Sequence, residues 1–217
     1  MSNQALEREQ LAAMLLRLRG LDVTGNALLT AIESIPRRVF LSPEFKNTVY
    51  SSQMFPIACG GFCESVDTLA RLLQQLDVQS HHKILEVGCG SGYSGAVLSR
   101  LGEKVLTVDR YKNHVTLANE KYEQIGATNV IAKHADGLQG VEGEGTFDRI
   151  FVSASFKDMP RHFVEFLTSS GVMIAPLSLG NGTAKMVRLT KIGSRFERED
   201  LFEVYDSPLL EGLAAAL

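Results

Sequence analysis

From Lys83 onward the chain alternates short apolar runs with stretches of helical periodicity. The apolar runs are KILEV, KVLTVD, NVIAKH, DRIFV and VMIAPLSL, and helices are expected up to Leu101, up to Gly126 and around PRHFVEFLT. Strands that are apolar along almost their whole length, with helices between them, are typical of a parallel sheet covered on both faces. The alternation therefore predicts an α/β fold with a doubly wound, mainly parallel, seven-stranded sheet.

The two ends of the chain have other patterns. Residues 1–80 carry three apolar stripes at helical spacing, and AKMVRLTKIGSRFEREDLFEVY reads as an antiparallel hairpin that turns near Gly193 and closes one sheet edge. A length of 217 residues suits one good hydrophobic core. We expect one structural domain, in which residues 1–80 form a helical region with a substrate-side loop and residues 81–217 form the ligand-binding core.

Composition excludes several classes of partner and site. The net charge is −3 without a block of like charges, so no nucleic-acid partner is indicated. No segment has the ~20 apolar residues of a membrane span, and the N-terminus does not resemble a signal peptide. Three cysteines favour reduced thiols and a cytoplasmic location. Cys59 and Cys63 are four positions apart, but no further ligand cluster completes a zinc site, so no metal is expected.

The segment ILEVGCGSGY contains the first candidate binding site. Gly88, Gly90 and Gly92 stand where the first core strand turns into its helix, which is where open parallel sheets bind ligands. Glycines allow the backbone a sharp turn and a close approach to a ligand. Asp109, 21 residues beyond Gly88, ends the next strand, where its carboxylate can accept both hydroxyl groups of a ribose. Together these features predict a nucleoside-containing ligand.

The acidic residue before the loop suggests which nucleoside. The spacing is G-x-G-x-G instead of the G-x-G-x-x-G of nicotinamide dinucleotide sites, and Glu86 lies two residues before the first glycine. A carboxylate there disfavours a pyrophosphate and suits an ammonium or sulfonium group. The charge argument favours S-adenosylmethionine, with a nicotinamide oxidoreductase as a distant alternative.

A third strand end adds Asp136 in HADG, placed to meet the adenine amino group, although a turn or capping role explains this residue equally well. The remaining candidate cofactor-binding residues are Ser91, Arg110, Gly137 and Ser153. The five histidines form no recognisable catalytic or metal-binding pattern, and we interpret them as surface or structural residues.

The order of motifs resembles the protein-L-isoaspartate O-methyltransferases, within the seven-strand S-adenosylmethionine-dependent methyltransferases. The similar segments are IPRRVFLSPEF, residues 50–57, EVGCGSGY, HADG, FDRIFVSAS, the region of Pro176, and DSPLLEG. The resemblance implies that residues 81–217 form the methyltransferase core. It also implies methylation of the α-carboxylate of isoaspartyl residues in damaged proteins. Such a carboxylate, with a pKa near ~4, is an ionised nucleophile at neutral pH and needs no general base.

The resemblance breaks at the start of the third helix. The family's Thr-Ile-Ser corresponds to Phe62, Cys63 and Glu64, and that serine hydroxyl lies beside the reacting carboxylate. Two carboxylates ~4 Å apart repel by about 4 kcal/mol at an effective dielectric constant of 20. Either Glu64 turns away while Ser65 supplies the hydroxyl, or Glu64 is protonated in an apolar pocket, or the acceptor is not a carboxylate. Glu64 and Ser65 are therefore the catalytic candidates, and a cap of the third helix is an equal alternative for Ser65.

Three functions stay open at this point. The first is methylation of an isoaspartate-containing protein or peptide, the second is methylation of a small-molecule or amine acceptor, and the third is cofactor binding without turnover. We expect a monomer.

Overall fold

The computed structural model describes residues 3–214, apart from the side chains of residues 3–5, and the bounds of its helices follow the apolar stripes. These residues form five α-helices: α1 Asn3–Gly20, α2 Asn26–Ser34, α3 Val66–Leu76, α4 Tyr93–Ser99 and α5 Lys112–Gln124. The strands are β1 Phe55–Pro56, β2 Phe62–Cys63, β3 Lys83–Val87, β4 Lys104–Asp109, β5 Val130–His134, β6 Phe147–Val152, β7 Leu167–Ser178, β8 Thr183–Ile192 and β9 Arg195–Tyr205.

Seven strands form one sheet in the order β5-β4-β3-β6-β7-β8-β9. The neighbouring pairs from β5 to β7 are parallel, whereas β8 and β9 pair antiparallel as the predicted hairpin. The predicted fold class is confirmed. Because β3 lies between β4 and β6, the chain runs outward in both directions from β3, and the crevice at its carboxyl end is a ligand position in such sheets.

The two faces of the sheet are covered differently. Buried apolar residues of all five α-helices belong to one cluster with one face of the sheet. The other face packs against a short 3₁₀ helix, Arg161–Phe166, and the segments around it. The prediction of an α-helix around PRHFVEFLT is therefore wrong. The last residues of this segment belong to the sheet instead, since β7 begins at Leu167, which pairs with Phe147.

An ion pair joins α1 to α3. Arg17 of α1 forms hydrogen bonds of 2.8–3.1 Å to both carboxylate oxygens of Asp67 in the first turn of α3, and its Nη2 donates to the carbonyl of Tyr50 at 2.7 Å. The loop that precedes β1 is thereby tied to both helices. The division of the chain at residue 80 stays a prediction.

Within residues 3–214, no helix has both the length and the apolar character that crossing a membrane requires.

Candidate active site

A cavity of about 340 Å³ opens at the carboxyl ends of β3, β4 and β6. This volume lies within the range of small-molecule sites. Eight of the twelve candidate residues line the cavity: Glu64, Gly88, Gly90, Ser91, Asp109, Arg110, Gly137 and Ser153. The other four candidates, Ser65, Glu86, Gly92 and Asp136, lie outside its lining.

The glycine loop needs its glycines for backbone geometry. Gly88 has φ 92°, and a Cβ there would overlap Ser153 Oγ, which hydrogen-bonds to the Gly88 carbonyl at 3.0 Å. Gly92 has φ 86° in the left-handed region and precedes α4, close to Ala118 of α5. Gly92 therefore shapes the loop from behind, while Gly88 and Gly90 face the cavity.

Asp109 stands at the end of β4 with its carboxylate held by its own chain. Oδ2 accepts the backbone N–H of Gly90 at 3.0 Å and lies 3.2 Å from Nδ1 of His114, while Oδ1 accepts the N–H of Tyr111 at 2.9 Å. Although burial opposes the charge, these hydrogen bonds outweigh it and lower the pKa of Asp109. A carboxylate oxygen accepts two hydrogen bonds, so Oδ1 keeps one acceptor site. This carboxylate can therefore accept one ribose hydroxyl group, not both as the sequence suggested.

His114, interpreted from the sequence as a surface or structural residue, lies in the cavity wall. Its side chain is 6% exposed and lines the cavity, and its Nε2 lies 2.9 Å from the carbonyl oxygen of Ala58. The histidine thus connects Asp109 to the rim loop, residues 57–61, which forms one wall of the cavity. The sequence feature that could have indicated this role is the position of His114, five residues after Asp109 and in the first turn of α5.

Glu86 does not lie where its place before the glycine loop suggested. The side chain is fully buried, and a Cβ at Gly95 of α4 would lie 2.8 Å from its Oε2. Among the described residues neither carboxylate oxygen has a hydrogen-bond partner, and burial raises the pKa of Glu86 to about 7. Strand residues alternate between faces, so Glu86 points under α4 and away from the cavity. The charge argument for a sulfonium ligand therefore has no support from this side chain.

The two catalytic candidates are separated at the start of α3. Ser65 is buried as the N-cap, where its hydroxyl accepts the N–H of Thr68 at 3.1 Å and lies 3.0 Å from Thr68 Oγ1. Glu64 is half-buried in the cavity wall, and its Oε1 accepts the N–H of Ser65 at 2.7 Å. Burial raises the pKa of Glu64. Only Glu64 is thus placed to meet a ligand.

Arg37, in the segment IPRRVFLSPEF, fixes the backbone at this point, and nothing in its sequence position predicted this contact. The side chain is fully buried, its Nη2 donates to the carbonyl of Glu64 at 2.6 Å, and its guanidinium lies 4.7 Å from the ring centre of Tyr93. A charge-assisted hydrogen bond of this kind holds residues 63–64 in one position relative to α4.

Asp136 is engaged outside the cavity. Its Oδ1 accepts the N–H of Leu138 at 2.9 Å and its Oδ2 the N–H of Gly212 at 2.7 Å, so it caps a short 3₁₀ helix and binds the C-terminal segment. Ser155 accepts the N–H of Ser207 at 3.1 Å through its hydroxyl oxygen. Both residues fasten residues 207–212, part of which lines the cavity.

The mouth of the cavity carries exposed apolar side chains. Phe62 and Tyr205 are 48% and 57% exposed, and their rings meet edge to face at 5.9 Å. Met54 and Leu210 are also exposed there. An apolar rim around an open cavity is typical of a ligand or polypeptide binding surface.

Comparisons with known proteins show which family this chain belongs to. A family model described as Protein-L-isoaspartate(D-aspartate) O-methyltransferase matches residues 9–213. The protein-L-isoaspartate O-methyltransferase of Rhizobium meliloti (strain 1021) is 42% identical over 204 residues, covering 94% of this chain and 100% of that protein. A protein of the same name from Azorhizobium caulinodans is 37% identical over 217 residues, covering 100% of both chains.

Solved structures show the same fold. A Plasmodium falciparum isoaspartate methyltransferase in complex with S-adenosyl-L-homocysteine has a TM-score of 0.78 at 21% identity, covering 91% of this chain and 97% of that one. Another structure named protein-L-isoaspartate O-methyltransferase has a TM-score of 0.84 at 22% identity, covering 94% of this chain and 67% of that one. Since the family model spans nearly the whole chain and full-length relatives are well above 30% identical, the chain belongs to the protein-L-isoaspartate O-methyltransferase family of S-adenosylmethionine-dependent methyltransferases.

Proposed function

We propose that the cavity is the site at which the free carboxylate of an isoaspartyl residue, in a protein or peptide, is methylated. The observation that carries this proposal is the conformation of Glu64, which occupies the position of the family's serine. Its carboxylate turns toward the first turn of α3 and accepts the N–H of Ser65. Because the N-terminal end of a helix stabilises negative charge, this contact directs the charge of Glu64 away from an acceptor in the cavity.

The residues around the glycine loop fit S-adenosylmethionine. Asp109 has a free acceptor site for a ribose hydroxyl, and Gly88 and Gly90 allow a close approach of the ligand to the backbone. Arg110 and Ser153 line the same cavity. When bound, the cofactor supplies an electrophilic methyl group.

The chain's contribution to the reaction is positioning. A carboxylate acceptor is already ionised at neutral pH, so no side chain has to remove a proton. Arg37 fixes the cavity wall at residues 63–64, and the rings of Phe62 and Tyr205 stand at the mouth of the cavity. Together they hold the acceptor segment and limit the access of water. The open, apolar mouth suits a residue within a polypeptide, which must reach the cavity while its neighbours stay outside.

A methyl-transfer assay tests the proposal. Purified protein with tritiated S-adenosylmethionine should produce a base-labile methyl ester on an isoaspartyl peptide and none on the same peptide with ordinary aspartate. Absence of the ester, while S-adenosylhomocysteine still binds, would contradict the proposed acceptor.

Glu64→Gln tests the role of the neighbouring carboxylate. Burial raises the pKa of Glu64, but its ionised carboxylate is held at the first turn of α3 and should not oppose an anionic acceptor. We therefore expect the ratio of the wild-type KM for the peptide to that of the variant to stay constant with pH. A wild-type KM that rises with pH relative to that of the variant would show that the charge of Glu64 reaches the acceptor and would contradict the proposed orientation.

We also infer a monomer that works in a reducing cytoplasm. Cys59, Cys63 and Cys89 are all free thiols, which suits such a compartment.

A further inference from the structure

His114 makes two hydrogen bonds that a neutral imidazole cannot make together. Its Nδ1 faces Oδ2 of Asp109 at 3.2 Å, and its Nε2 faces the carbonyl oxygen of Ala58 at 2.9 Å. Both partners are acceptors, because a peptide carbonyl has no proton and the pKa of Asp109 is lowered. Neutral histidine carries one N–H and the imidazolium carries two. Only the protonated ring satisfies the observed geometry.

The rim loop that His114 contacts has a conformation that needs support. Cys59 has φ 59° and ψ 22°, in the left-handed region that residues with a side chain rarely adopt, and Gly60 follows with φ 73°. Such strain persists only where the surroundings hold the backbone in place. The loop's own support is the hydrogen bond from Ile57 N–H to the carbonyl of Gly61 at 2.9 Å and a longer one from Gly61 N–H to Ala58 at 3.3 Å.

We propose that His114 is a positioning residue that, as an imidazolium, joins the rim loop to the cofactor-site carboxylate Asp109, and that loss of its proton releases the loop and weakens cofactor binding. The neutral ring would keep one of the two contacts and give up the other. The cavity would then lose a fixed wall at Ile57, Cys59 and Gly60, and cofactor binding would have to order that wall.

The charges around His114 favour the protonated form. Burial opposes the charge, but the hydrogen bond and the negative charge of Asp109 outweigh it and raise the pKa of His114. Lys121, further along α5, acts against the proton. Burial raises the pKa of Cys59, on the loop, and of Cys89, beside Asp109, so both thiols are uncharged near neutral pH. Tyr111 packs edge to face on the ring at 5.3 Å.

Calorimetry with S-adenosylhomocysteine tests this inference between pH 5.5 and pH 9. In the wild type we expect affinity to fall about tenfold as the pH rises through the His114 titration, which is the scale of one lost hydrogen bond to a charged group. His114→Gln should bind weakly and without this pH dependence, whereas the exposed His162→Gln control should follow the wild type. S-adenosylmethionine carries one more positive charge, so its affinity should fall less, because loss of the imidazolium also removes a repulsion.

A wild-type affinity that is constant over this range, or the same pH dependence in His114→Gln, would overturn the inference. An NMR titration of the histidine side chains provides a second measurement, in which His114→Gln serves only to assign the resonance. The resonance that disappears in His114→Gln should show both ring nitrogens protonated at pH 6.5, and a neutral ring there would refute the proposal.

The inference depends on the cofactor cavity of the proposed function but not on the acceptor. A pH-dependent affinity without methyl-ester formation would contradict the proposed acceptor and support the role of His114. Ester formation with a pH-independent affinity would support the proposed acceptor and contradict the role of His114.

Discussion

Replacing Glu86 by glutamine tests whether the acidic residue before the glycine loop serves the fold or the ligand. The side chain is 0% exposed, and its carboxylate oxygens have no hydrogen-bond partner among the described residues. Glutamine has nearly the same size and shape but does not titrate. The substitution therefore removes the pH dependence of this site with little change in packing.

The structure indicates how large that pH dependence should be. Burial raises the pKa of Glu86 from 4.5 to about 7. Between these values the folded protein holds a proton that the unfolded chain has released, so the free energy of unfolding falls as the pH rises. At 1.36 kcal/mol for each pKa unit, the fall amounts to about 3 kcal/mol and is complete above pH ~7.

Urea unfolding of the wild type and Glu86→Gln at pH 5 and pH 8 measures this effect, because the contributions of other groups cancel in the difference between the two proteins. Because part of the fall occurs below pH 5, the variant should gain about 2–3 kcal/mol relative to the wild type between pH 5 and pH 8. Its affinity for S-adenosylhomocysteine should be unchanged. A difference in stability that does not vary with pH would refute the buried, titrating carboxylate. A marked loss of affinity would show that Glu86 contributes to cofactor binding.

Two further substitutions separate binding from stability. Asp109→Asn should weaken S-adenosylhomocysteine binding about ten- to a hundredfold by calorimetry, since a hydrogen bond to a charged group contributes about 1.5–3 kcal/mol; unchanged affinity would remove Asp109 from the site. The control variant is Asp148→Asn. The carboxylate of Asp148 also has a lowered pKa and accepts hydrogen bonds from Lys83 N and Thr168 Oγ1, but it lies outside the cavity. This variant should therefore lose stability and keep its affinity for S-adenosylhomocysteine. Because the pKa of Asp109 is lowered, its contribution to stability is present above pH 3.8 and should disappear as the pH falls through its folded-state value. Ser65→Ala should cost about 1 kcal/mol of unfolding free energy through the lost N-cap with kcat unchanged, and a large fall in kcat would assign the hydroxyl to the acceptor.

The sequence by itself was sufficient for the sheet, the glycine loop and the family. Strands that are apolar on both faces have to be covered by helices on both sides, and the alternation of strands and helices supplies this cover. The order of these segments therefore predicts a parallel sheet without knowledge of any contact. The glycine loop was recognisable because a left-handed backbone such as that of Gly88 admits few other residues. The motif order then identified the family that the comparisons confirm.

Tertiary structure decided which polar side chains face the cavity. The sequence places Glu86 near the carboxyl end of its strand. Only the packing of α4 against the sheet shows that its carboxylate lies under this helix. His114 was overlooked because its partners Asp109 and Ala58 are brought together only when the rim loop folds against α5, and Ala58 is 56 residues away in the chain. Sequence periodicity reports which face of an element is apolar, whereas the direction of an individual polar group depends on neighbours that are distant along the chain.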